Sequence, residues 1–428
     1  MTASKLKELI LAGSLDEVFS EISGGGDMEK QKSRAVSALA GFEELYGDIG
    51  RDVRLFSVGG RTEISGNHTD HNRGKVIAAS VNMNVFAAAA VRDDNVIRIK
   101  SEGHREDVSP ADGSEEPGEA GFFTSRALIC GTARAFRDRG LKTGGFDAYT
   151  VSDVLKGSGL SSSAAFEVIV GKIMSCLYND DAVSDVELAK IAKFAENEYF
   201  GKPCGLMDQA ACAVGSLVAI DFADPDDPVI ERLDFDLESA GFRLCITDTR
   251  SSHADLNEDY AAIPREMKSV AAFFKKEYLS EIDEKDLLEN ISALREAAGD
   301  RAVLRAFHFF EENRRVERQA EAAKRGDVDA FLENVTSSGL SSFRFLQNVY
   351  SPSSPQSQGV SLALMMSESF LAGKGGACRV HGGGFAGTVQ AFVPTEFADE
   401  YKCFMEKVFG AGSCHMIGIR RAGALTLH

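Results

Sequence analysis

The stretch LKGSGLSSSAAFE, residues 155–167, limits what this chain can be more than any other. Two glycines and a run of three serines sit between a strand pattern and an apolar helix pattern. Gly157 and Gly159 allow tight turns and close approach of a ligand to the backbone. The amides of Ser161 to Ala164 open a helix whose positive end favours an anion, and serine hydroxyls can reach a cation bound to phosphate. The stretch lacks the GKS or GKT ending of a Walker loop and the GxGxxG spacing of a dinucleotide-binding turn. Serine and glycine also suit any helix start, so a plain N-cap stays open on this evidence alone.

Three further stretches carry chemistry. Residues 60–75, GRTEISGNHTDHNRGK, gather Arg61, Glu63, His68, Asp70, His71 and Asn72 into one short turn between strands. Short polar side chains such as Asp70 and Asn72 suit sugar hydroxyls, and Arg61 offers a fixed fork for phosphate oxygens or a carboxylate. Each residue alone is also an ordinary turn former. A metal reading of His68 and His71 lacks a third ligand. Residues 196–209, ENEYFGKPCGLMDQ, end one helix and turn into another apolar segment, with Asp208 at its start, where a carboxylate can also serve as a cap. Residues 382–387, GGGFAG, read as backbone passing close to a ligand or another segment.

Composition narrows the classes. With 428 residues and 44% hydrophobic side chains, two or three domains with real cores are expected. A formal charge of -18 excludes general affinity for nucleic acid or an anionic membrane unless a basic patch is strongly localised. The densest basic stretch, Arg314 to Arg318 with Lys324 and Arg325, is interrupted by Glu317 and Glu321 and reads as a solvated helix face. Eight cysteines, scattered without CxxC pairs, argue against structural zinc and a disulfide framework, and a reducing cytoplasm is the expected setting. The N-terminus has no signal-peptide core, and no apolar run reaches the ~18 residues of a membrane span.

Periodicity predicts two helices in the first fifty residues, broken at Gly24 to Gly26, and then strands over 53–99. Residues 101–120 are expected to form an exposed loop without core pattern. Helices are predicted over 122–136, 164–177 and 186–199, with a strand at 146–151. A strand at 242–247, a helical span over 257–345 and strands around 379–393 and 413–419 suggest a second α+β layer.

Taken together, the four stretches resemble the galactokinase branch of the GHMP kinases, the superfamily of galactokinase, homoserine kinase, mevalonate kinase and phosphomevalonate kinase. Residues 60–74 are similar to the signature GRxNLIGEHTDYNGG, 157–165 to GxGLSSSAA, 204–209 to CGIMDQ and 382–387 to GxGFGG. The resemblance spans roughly residues 40–425. It implies an α+β fold of two domains, over 1–235 and 236–428, the first ribosomal-protein-S5-like α/β and the second ferredoxin-like α+β, with the active site in the cleft between them. It implies a sugar 1-kinase that uses ATP and Mg²⁺ to phosphorylate galactose; a monomer is expected, though the sequence does not fix the oligomeric state, and the charge and apolar pattern leave neither nucleic acid nor membrane as an expected partner.

Residue by residue, the resemblance makes Asp208 the base or orienting group at the anomeric hydroxyl and Arg61 the neutralising charge beside it. Asn67, His68, Asp70, Asp208 and Tyr260 would bind the sugar. Gly157, Ser158, Gly159, Leu160, Ser161, Ser162 and Ser163 would cradle the nucleotide phosphates, and Ser162 with Glu196 would hold Mg²⁺. Asn67 stands where the signature has Glu, His71 where it has Tyr, Leu155 where Pro precedes the glycine, and Ala386 within GFGG. The first two departures bear on the sugar. They leave room for galacturonate or N-acetylgalactosamine, or for a non-catalytic sugar sensor.

Overall fold

A computed structural model describes residues 1–47, 50–154, 160–202, 204–225, 227–251 and 256–428. The chain falls into two compact units, one of Met1–Arg61, Ala79–Ser216 and Gly418–His428, the other of Thr62–Ala78 and Leu217–Ile417.

In the first unit the strand Lys75–Val91, which belongs to it from Ala79 onward, is the organising element. From Val85 to Ala90 every residue is buried, so both faces of the strand are covered. Phe86, Ala88 and Ala90 share one core cluster with Leu6, Ile10, Phe19, Leu39 and Phe42 of the N-terminal helices. Alternation along a strand sends Val85, Ala87 and Ala89 to the opposite face. The strand Phe146–Ser152 pairs antiparallel with Lys75–Val91 and parallel with Val96–Ser101. A parallel pair needs a crossover, and the helix Ser125–Asp138 supplies it.

Two expectations fail here. The first fifty residues form three helices, Ala3–Leu11, Asp16–Ser23 and Met28–Tyr46, not two. The extra break is at Gly13, whose φ of +79° ends the first amphipathic stretch while its apolar period continues. Residues 101–120 are not simply a loop: Glu106–Pro110 is a strand, paired antiparallel with Val96–Ser101. It lies at the sheet edge and leaves Val108 47% exposed, so it carries no core pattern to read.

The second unit is built on a four-stranded antiparallel sheet in the order Cys414–Ile417, Phe242–Asp248, Thr388–Pro394, Ala377–His381. Val389, Ala391 and Val393 alternate onto the face covered by the helices Gly359–Leu371 and Ala398–Phe409. The helix Asp300–Arg325 and the helix Val328–Ser341 form a hairpin turned at Gly326, φ +67°. Glycine takes that left-handed cap without strain.

Candidate active site

Each unit carries its own polar cluster. In the first unit the helix Ser162–Tyr178 starts at Ser161, a non-glycine residue at φ +57°. A strained cap of this kind persists only where its surroundings hold it. The Leu160 carbonyl accepts the Arg61 amide at 3.0 Å, and the Ser161 hydroxyl donates to Asp208. Asp208 is the second residue of the helix Met207–Val214. Arg61 grips it at two points, Nε to Oδ1 and Nη2 to Oδ2, both 2.7 Å. Burial alone would raise the Asp208 carboxyl. The charge and hydrogen bonds of Arg61, with Ser161 and Lys202, outweigh it and hold the group below its ordinary value. Asp208 is therefore an anion at neutral pH, with its side chain still 19% exposed.

Glu196 is presented by a π-helical turn, Ala195–Phe200, that follows the helix Asp185–Phe194. Such turns re-aim side chains and are common at functional sites. Gly131 makes room for it: a Cβ at that position would lie 2.8 Å from Ala195 Cα. The Glu196 carboxylate is buried and accepts from Ser163 Oγ at 3.0 Å, Lys202 Nζ at 2.9 Å and Gln209 Nε2 at 2.6 Å. The hydroxyl bonded to Glu196 is thus that of Ser163, one residue beyond Ser162, which opens the helix. Gln209 also reaches Glu167 at 3.3 Å. Burial, then the Glu196 charge, pushes the Glu167 carboxyl well above its ordinary value. Gly157, Ser158 and Gly159, with Leu155, lie outside the described residues.

In the second unit the turn at residues 66–74 meets the glycine loop at 382–385. His68, at φ +59°, has Nε2 3.0 Å from the Gly383 carbonyl. Burial pulls its pKa down to about 4, so the ring is neutral, and the carbonyl partner assigns its proton to Nε2. Asn67 is buried and fully engaged. Its Nδ2 donates to Glu63 at 3.0 Å and to the Gly382 carbonyl at 2.7 Å, while Oδ1 accepts from Asn348 Nδ2 at 2.7 Å. Tyr260 donates to the Gly384 carbonyl at 2.9 Å and sets its ring edge-on to Phe385. Gly384 is required in this loop, at φ +80°, because a Cβ there would lie 2.0 Å from the Asn348 carbonyl. Asp70 opens a short 3₁₀ turn, Asp70–Asn72, its carboxylate accepting the His71 amide at 3.0 Å. The His71 side chain is half exposed.

Several residues that matter here were not singled out by sequence. Glu312, fully buried, accepts from the Gly66 amide at 3.1 Å and from Ser338, and pairs with Arg315. Burial would raise its pKa, but His308 and the charges of Arg315 and Arg379 bring it down to about 2. His308 donates from Nε2 to the Asn67 carbonyl at 3.0 Å. The basic stretch expected to be a solvated face is in part the reverse: Arg315 is buried because it neutralises Glu312. A charged residue on a long amphipathic helix gives no sequence signal of which partner it meets. Glu63 did have a signal, since it occupies the fourth position of the signature, where the pattern has Asn.

Residues 40–91 match the family model described as the galactokinase galactose-binding signature, and residues 127–216 match the GHMP kinases N terminal domain. A galactokinase of Streptomyces coelicolor is 32% identical over 384 residues, covering 88% of this chain and 94% of its own. Among solved structures, the galactokinase of Lactococcus lactis crystallised with galactose superposes with a TM-score of 0.73 at 22% identity, over 90% of this chain and 98% of its own. The mevalonate kinase of Methanococcus jannaschii superposes with a TM-score of 0.60 at 14% identity, over 86% of this chain and 98% of its own. The fold is that of the GHMP kinases, and the chain belongs to the galactokinase family.

Proposed function

We propose that this chain transfers the γ-phosphoryl group of ATP to the anomeric hydroxyl of galactose, giving galactose 1-phosphate and ADP. One observation carries the reading: Arg61 and Ser161 converge on a single ionised carboxylate, Asp208, at the start of the helix Ser162–Tyr178. Phosphoryl transfer asks for positioning and charge stabilisation more than for covalent chemistry. Asp208 orients the attacking hydroxyl and takes its proton, and Arg61 neutralises charge building between that oxygen and the phosphorus. Ser161, Ser162 and Ser163 offer amides and hydroxyls to the phosphates at a helix N-terminus.

Mg²⁺ fits the donors present. A cation carried by the nucleotide needs few protein ligands, and the Glu196 carboxylate with a serine hydroxyl, Ser162 or Ser163, supplies hard oxygens. When bound it would offset phosphate charge. On the sugar side, His68, Asp70 and Tyr260 hold ring hydroxyls, with Asn67 behind them. Galacturonate or N-acetylgalactosamine would need Asn67 and His71 to read the sugar's substituent, and the Asn67 amide is engaged within the protein. The eight free cysteines suit a reducing cytoplasm.

A coupled assay of ADP release across hexoses and uronic acids tests the reading. Galactose should give the highest kcat/KM. A chain that releases no ADP with any of these sugars is not a sugar kinase, and one that prefers a uronate has another substrate.

A further inference from the structure

The galactokinase signature carries Asn at its fourth position and Glu at its eighth. Here the fourth is Glu63 and the eighth is Asn67. Read singly, each is a departure. In the structure they are partners, Asn67 Nδ2 donating to Glu63 Oε1 at 3.0 Å, and both side chains are buried. The pair still holds one carboxylate and one amide, with the positions exchanged.

We propose that Glu63 and Asn67 are a compensated exchange, and that the pair is a positioning device for the 66–71 turn and the 382–384 glycine loop, not a reader of the sugar. Each side chain has work that its exchanged partner alone could not do. The Glu63 carboxylate receives Arg379 Nη2 at 3.0 Å, and Arg379 is itself fully buried, so a neutral residue at 63 would remove the carboxylate that Arg379 bonds. The Asn67 amide must donate, because it faces the Gly382 carbonyl and the Glu63 carboxylate, and must also accept, because Asn348 points at its oxygen. A carboxylate can only accept.

A glutamate at 67 alone would set two anions together in a buried site and leave the Gly382 carbonyl without its donor. The consequence reaches the ligand face through the loop. Asn67, His68, Asn348 and Tyr260 together engage three successive carbonyls, those of Gly382, Gly383 and Gly384. Losing the Asn67 bond should loosen the loop on which His68 and Tyr260 rest.

This rests on the reading that His68 and Tyr260 meet the sugar, so the test has two arms. In the first, thermal unfolding without any substrate compares wild type, Glu63→Asn, Asn67→Glu and the double exchange. The singles should each lower the midpoint and the double should recover most of the loss, a coupling expected only for residues in contact. Additive losses overturn the exchange. In the second arm, KM for galactose should rise roughly tenfold in Asn67→Glu, the scale of about one lost hydrogen bond, with KM for ATP unchanged, and fall back only in part in the double variant, where the two anions no longer face each other but residue 67 still cannot donate to Gly382. Equal effects on both KM values, or none on galactose, overturn the positioning role. Glu63→Gln, which keeps shape and an acceptor oxygen, serves if Asn67→Glu does not fold: it too should raise KM for galactose alone. If wild type turns over no galactose, the functional reading fails while the unfolding arm still decides the exchange.

Discussion

The two clusters use the same kinds of side chain to different ends. In the first unit, Arg61, Ser161 and Asp208 form a small array whose carboxylate is ionised and partly open, its side chain 19% exposed. In the second, Glu63, Asn67, His308, Glu312, Asn348 and Arg379 are all buried and hold one another and the backbone. The lesson is that richness in polar residues marks a site without saying which residues react. Exposure separates them: the second set is shut away among its partners, whereas Asp208, though both its oxygens are bonded, keeps an open side that can meet a substrate. The pair Asn67 and Asp70, three residues apart, shows both cases within one turn.

The largest effect should come from Asp208→Asn. It keeps the side-chain shape but removes the anion and one of the two acceptors of the Arg61 fork, so turnover should drop by about 10²–10⁴, with a fall in unfolding midpoint smaller than that of Glu312→Ala because the site is partly open. Near wild-type turnover would take Asp208 out of the mechanism. Glu312→Ala should do the opposite, costing roughly 3–5 kcal/mol of stability by leaving buried Arg315 unpaired, measured by denaturant unfolding. A loss of activity with unchanged stability would contradict its assignment to the scaffold.

Acid should separate the clusters further. His68 titrates near 4 in the folded chain against about 6.5 when unfolded, and Glu312 near 2 against about 4.5. In both cases the unfolded chain binds the proton more readily, so stability is complete above the unfolded values and falls as pH drops toward the folded ones. His68→Gln should flatten the part of that decline between about pH 6.5 and 4. An unchanged slope would show that His68 does not contribute. The smallest effect separates Ser162 from Ser163. Ser163→Ala removes one hydrogen bond to Glu196, about 0.5–1.5 kcal/mol, and should raise the Mg²⁺ concentration for half-maximal rate a few-fold. If Ser162→Ala has the larger effect, Ser162 is the metal-side hydroxyl.

Legibility followed how each group is encoded. The serine run could be read because phosphate chemistry asks for glycines and hydroxyls at fixed spacing in one short stretch; the roles of Arg61 and Asp208 came from the resemblance. Tyr260 was readable only through the resemblance, and the 382–387 loop already from its glycines, as backbone in close approach. Glu312, His308 and Arg379 were not readable: Arg315 is near Glu312 on the same helix, but the Gly66 amide, the Asn67 carbonyl and the Glu63 carboxylate that the three meet lie far along the chain. Asn67 was legible as a departure from the signature; its bonds to Glu63, Gly382 and Asn348 were not, because Gly382 and Asn348 lie far along the chain and Glu63 is read only against the same signature. The sheets and most helices followed from alternation and period; the break at Gly13 did not, since a turn of few residues leaves the apolar rhythm intact.

The account's central claim is that this chain places phosphate on the anomeric oxygen of galactose. ³¹P NMR of a mixture of protein, Mg²⁺, ATP and galactose tests it directly, with the proton coupling of the new phosphate reporting its position. The expected result is ADP and one sugar phosphate coupled to the anomeric proton, formed by wild type and nearly absent with Asp208→Asn. Phosphate on another hydroxyl, or ATP left intact with galactose present, would contradict it.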